Sequence, residues 1–167
     1  LIQALLFGDG GILAFGANCF NMAFVLPYLG FFLYKLLLKK TGMRKLSAAI
    51  GAYIGINAAA FCAAVEFGIQ PLLFKNAEGQ ALYCPYPLSV SIPAMMIGHI
   101  TLFGLAEIIL TVVVLTFVEK VTPKALDAVP DKTAFKPLYI LMAVLIVPTP
   151  LGLLATGTAW GEWGSDE

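Results

Sequence analysis

A single histidine, His99, and a glutamate eight residues later, Glu107, stand within one long apolar run. On a helix that spacing places them about 80° apart around the axis and two turns apart along it. Neutral imidazole suits cobalt, nickel, copper and zinc alike, so one reading makes His99 a metal ligand or the neighbour of one. The other is a packed, hydrogen-bonded histidine, because one His does not make a transition-metal site. Glu107 is either a proton or cation partner or a hydrogen-bonded structural carboxyl. Asn18 and Asn21 lie three apart, on one helix face. They either line an outward-facing polar site or hold helices together by hydrogen bonds. Asn57 is a further polar residue inside apolar sequence, and Glu66 falls near an outer helix end, where it can sit at the interface. Met95 and Met96 either meet a soft metal on its path or fill core space.

Other chemistries lack their residues. Gly8-Asp9-Gly10-Gly11 has neither the Lys nor the Ser/Thr of a phosphate-binding loop, and reads as a tight turn between helices. There is no His-Glu-x-x-His pattern and no serine nucleophile beside a base, so hydrolytic chemistry is unsupported. Cys19, Cys62 and Cys84 are too few and too scattered for a disulfide framework or a zinc site.

The elements that must position these residues follow from composition. Of 167 residues, 60% are apolar and only 12% charged, and the mean hydropathy is +0.90. Soluble domains carry about a quarter charged residues, so this chain cannot cover a water-facing surface. A disordered chain, a basic nucleic-acid binder and an ordinary cytosolic globule are excluded. Polar side chains inside such runs are costly in lipid unless they face protein or water, which makes them informative. A helix crossing the hydrocarbon core needs about 20 apolar residues. Spans are expected over 12–38, 46–67, 88–118 and 138–154, with 1–7 as the end of a fifth and a polar loop over 69–87. The fold class expected is therefore all-α: a polytopic membrane helix bundle forming one domain over 1–167. The third span exceeds the membrane thickness and must tilt, protrude or break, with Pro93 and Gly98 as the weakest points. A short outer piece ending near Ile97 is expected.

Basic residues set the orientation. Lys35, Lys39, Lys40, Arg44 and Lys45 fall between the first two spans, and Lys120, Lys124, Lys132 and Lys136 between the last two. Alternating spans put both basic loops, 35–45 and 120–136, on the cytoplasmic side of a prokaryotic cell membrane. The 69–87 loop and the 156–167 tail, with Trp160 and Trp163, are then outside. The second span carries Gly51-x-x-x-Gly55, Ala48-x-x-x-Ala52 and Ala59-x-x-x-Ala63, spacings that let helix backbones approach closely. They serve either packing within the bundle or a sliding contact with another membrane subunit.

Several ordered stretches together resemble one family. Gln3 to Gly11 (QALLFGDGG) is followed by Gly16-Ala17-Asn18-Cys19-Phe20-Asn21-Met22. Then come Gly98-His99-Ile100, Gly104, Glu107 and Thr111, and finally Gly157-Thr158-Ala159-Trp160-Gly161-Glu162-Trp163-Gly164. The pattern resembles the CbiM/NikM family, the substrate-binding membrane components of energy-coupling factor transporters for cobalt and nickel. The resemblance implies capture of Co²⁺ or Ni²⁺ as cargo rather than a resident cofactor, and no enzyme activity in this chain. Its implied partners are a transmembrane coupling subunit, cytoplasmic ATP-binding cassette ATPases, an accessory membrane subunit and the lipid bilayer, with no nucleic acid. It also implies that the metal is held by an N-terminal amine, an amide nitrogen, a His at the second position and a His from an early loop. Four nitrogens in a plane suit Ni(II) and accommodate Co(II). His99 matches neither ligand, so those ligands are expected ahead of Leu1, in a longer chain. Asn18 and Asn21 match the family's Asn-x-x-Asn motif and are expected to line or position the site.

Overall likeness leans to cobalt, for cobalamin synthesis, with nickel as the alternative. A vitamin-binding component of the same transporter class would need an outer cavity lined by aromatic and hydrogen-bonding groups. A structural membrane subunit would show no metal-dependent stabilisation, and an intramembrane enzyme lacks a nucleophile–base pair.

Overall fold

A computed structural model describes residues 15–122 together with positions 136, 139, 140, 143 and 144. Three helices long and apolar enough to cross a membrane occupy this range: α1 (Phe15–Thr41), α2 (Arg44–Leu73) and α3 (Leu88–Val121). The expected fourth span lies outside the described residues except for helical positions 139, 140, 143 and 144. The 1–7 segment and the 156–167 tail lie wholly outside them.

Gly42 ends α1 at φ +68°, a left-handed position natural to glycine, and its N–H donates to the Leu38 carbonyl at 2.9 Å. Lys39 and Lys40 in the last turn face the negative end of the helix dipole. After Met43 the chain reverses at once into α2. Buried Ser47 closes the turn by donating Oγ to the Met43 carbonyl at 2.8 Å.

Helix α2 is the central element, packed between α1 on one side and α3 on the other. In its most apolar window 39% of residues are buried, against 6% in each flanking helix. The small residues explain how. A Cβ on Gly51 would lie 2.5 Å from the Gly30 carbonyl oxygen, and one on Gly55 2.7 Å from that of Leu26, so α1 and α2 touch backbone to backbone. Ala59, Ala60 and Ala64 continue the buried face. On the α3 side, Ser91 Oγ donates to the Ala64 carbonyl at 2.8 Å, and Leu88 and Ser91 fill the space beside Gly68. Within the described residues, the Gly51/Gly55 spacing therefore serves contact with α1. Ala48 is buried too, and Ala52 is half-buried.

The end of α2 and the course of α3 differ most from expectation. Helix α2 runs to Leu73 rather than stopping near 67, passing through Pro71 in its last turn. The residue before a proline disfavours helix, which is why the sequence alone reads as ending earlier. A tertiary bond holds the turn, Gln70 Oε1 accepting from the Cys84 N–H at 3.2 Å, and the Gln70 carbonyl closes the helix end by accepting from the Phe74 N–H at 2.8 Å. The 74–87 connection then folds over Asn76, whose Oδ1 accepts from Glu78 N–H and Gln80 N–H at 3.1 and 2.7 Å.

The third helix is not broken at Pro93 or Gly98. It continues from Leu88 to Val121, with one turn, His99–Phe103, widened to π-helix. There the Gly104 N–H donates to His99 rather than to Ile100, which frees the Ile100 carbonyl. Tyr53 Oη on α2 donates to that carbonyl at 2.9 Å, and its ring lies where a Gly104 side chain would be. A second π turn, Asn21–Val25, interrupts α1 just before Pro27. A proline ring clashes with the carbonyl four residues back in a regular helix, and the wider turn relieves that clash.

Candidate functional site

Both π turns begin at residues that the sequence marks for chemistry, Asn21 and His99. Their surroundings differ sharply.

Asn21 is 2% exposed. Its Nδ2 donates to Glu66 Oε2 at 2.8 Å, joining α1 to α2 inside the bundle. Its Oδ1 is buried and meets no donor among the described residues. The carboxylate sets the amide orientation: turned over, the amide would aim its oxygen at another acceptor. Asn18 is half-buried, on the same turn of α1, and is engaged in an interaction of its own. Asn57 donates Nδ2 to the Tyr53 carbonyl at 2.8 Å within α2, leaving its buried Oδ1 without a donor among the described residues. Unsatisfied buried acceptors are rare enough in folded proteins that each needs an explanation, and an ion or water is a common one.

The sequence places Glu66 near a helix end expected at 67, where it can sit at the interface. Because α2 continues to Leu73, the carboxyl stands seven residues inside the helix, about 10 Å below its end. That helix end was the missed signal.

His99 and Glu107 each bond within α3. His99 Nδ1 lies 2.9 Å from the Met95 carbonyl one turn back, and its ring packs on Phe103 at 5.0 Å between centroids. Glu107 accepts from Thr111 Oγ1 at 3.4 Å. Among the described residues, no three His, Cys, Asp or Glu side chains are grouped to hold a metal. Met95 instead lines a cavity of about 320 Å³ with Phe67, Cys84, Val90 and Ala94. Of the polar groups lining it, the Ser91 hydroxyl donates to the Ala64 carbonyl and the Cys84 thiol approaches the Tyr86 carbonyl at 4.0 Å.

At the opposite end, Lys45 Nζ approaches Glu119 Oε2 at 3.7 Å, tying the start of α2 to the end of α3. The α1–α2 turn and Lys120 therefore share one end of the bundle, as alternating spans require. The polar pair Asn21–Glu66 lies toward the other end.

Comparison with known proteins agrees with this architecture. Residues 1–125 match the CbiM family, described as "Cobalt uptake substrate-specific transmembrane region". A "Probable fused nickel transport protein LarMN" of Lactiplantibacillus plantarum is 50% identical over 167 residues, all of this chain and 51% of the relative. The "Fused nickel transport protein NikMN" of Rhodobacter capsulatus is 46% identical over 176 aligned positions, covering all of this chain and 50% of the relative. A crystal structure of a transition metal transporter is 50% identical, with a TM-score of 0.69 over 84% of this chain and 59% of that one. The chain thus spans about half the length of the curated relatives it matches.

Proposed function

The chain belongs to the CbiM family, and from that membership we propose that it is part of the cation-capturing membrane component of an energy-coupling factor importer. Nickel is placed ahead of cobalt. One observation carries that preference: the likeness to proteins named as nickel transporters extends over all 167 residues at 46–50% identity. Cobalt, the ion in the family's description, is the second reading.

In this reading the nitrogen ligands lie upstream of Leu1, and Asn18 and Asn21 position or line the site they form. The widened turn at Asn21 and its bond to Glu66 support a positioning role, since a rigid outer partner fixes the geometry of a metal ligand. ATP hydrolysis belongs to partner ATPases, with a coupling subunit converting it into reorientation of this component. The basic end, with Lys39, Lys40, Arg44 and Lys45, is the cytoplasmic one.

The test uses the full natural protein with a free N-terminus, titrated with Ni²⁺ and Co²⁺ by calorimetry and reconstituted with its coupling subunit and ATPases for uptake. Tight binding and ATP-dependent uptake of nickel, with cobalt weaker, is the expected outcome. Asn21→Leu should weaken capture while inserting normally. Wild-type protein that binds and transports neither ion would end the transport reading.

A further inference from the structure

Glu66 is an ionisable side chain inside a membrane-spanning helix, and no Lys or Arg among the described residues is paired with it. The Lys45–Glu119 ion pair sits at the far end of α2, where Lys45 is 21 residues from Glu66, about 30 Å along the axis. A carboxylate in that setting is expensive unless a proton or a metal cation offsets its charge. Among the described residues its one hydrogen bond is from the Asn21 amide, whose own oxygen is buried beside it and meets no donor there. Two oxygen acceptors thus share one spot about 10 Å below the helix end, with Cys62 one turn back on the same face of α2.

We propose that Glu66, held by Asn21, is an anionic contact for the cargo cation, meeting its charge as it moves from outside into the bundle. This rests on the reading of the chain as a cation-capturing component, and goes beyond it by assigning a residue on α2. The chemistry fits a contact rather than a trap. Oxygen donors bind nickel and cobalt less firmly than nitrogen donors do. A stop on a path must be favourable enough to enter and weak enough to leave. The negative charge also offsets the cost of carrying a divalent ion into a low-dielectric bundle, which neutral donors cannot do.

Glu66→Gln separates charge from structure. Glutamine keeps an oxygen that accepts from Asn21 Nδ2, so a purely structural role predicts no change. Association of Ni²⁺ with the full-length protein, and its uptake, should slow about 10- to 100-fold, with the melting temperature of the metal-free protein not lowered. Glu66→Asp, which retains the charge on a shorter stem, should recover part of the loss. Glu66→Gln protein that binds and transports nickel like the wild type would overturn the assignment while leaving the transport reading intact. Wild-type protein that binds neither nickel nor cobalt would overturn both.

Discussion

The contact between α1 and α2 gives a sharp prediction at Gly51. An alanine Cβ there would lie 2.5 Å from the Gly30 carbonyl oxygen and 3.3 Å from the Tyr34 nitrogen. Both are backbone atoms, so no side chain can rotate away. Ordinary carbon–oxygen contact begins at about 3.3 Å, and the helices must separate locally by about 0.8 Å. Overpacking of that kind costs about 1–3 kcal/mol, while alanine's better helix propensity returns about 0.5–1 kcal/mol. Gly51→Ala should therefore destabilise the protein, by up to about 2.5 kcal/mol. Gly98→Ala is the control: among the described residues its Cβ would meet only the Phe103 ring, at 3.3 Å, a side chain able to shift. Reversible unfolding of the full-length protein in mixed micelles reads both. Equal stability of the two variants would refute the backbone-contact argument. Lost co-purification with the coupling subunit at unchanged stability would instead assign Gly51 to a partner interface.

Two further consequences follow from single bonds. Tyr53→Phe leaves the Ile100 carbonyl without its donor and should cost about 1 kcal/mol. Hydrogen–deuterium exchange should then quicken at residues 99–104, and unchanged exchange would mean that Tyr53 does not hold the widened turn. Lys45→Met removes a long ion pair whose lysine is 51% exposed and should change stability by less than about 0.5 kcal/mol. A drop of several degrees in melting temperature would show that this pair fastens α2 to α3.

How far the site was legible depends on the residue. Asn18 and Asn21 stood out because amides within apolar sequence are conspicuous and their spacing defines a face. What Asn21 meets was hidden, since its partner is 45 residues away on another helix. Glu66 was undervalued for a local reason: Pro71 argues for an early helix end, and only the Gln70–Cys84 bond shows why the last turn persists. His99, the one histidine of the chain, was conspicuous by type, but the turn of its Nδ1 back to its own helix at Met95 is a side-chain conformation that spacing does not show.

By itself the sequence determined the solvent and the class of fold. A chain so poor in charge must satisfy its backbone internally, and runs of this length can do so only as membrane-crossing helices. It also determined that α2 would pack closely, because glycine and alanine four residues apart leave room for a neighbouring backbone whatever that neighbour is. The tertiary structure decided which neighbour fills the room, where the third helix widens instead of breaking, and that Asn21 answers to Glu66. Each of those outcomes is a contact between residues far apart in the chain. Periodicity and propensity are local quantities and carry no information about distant partners.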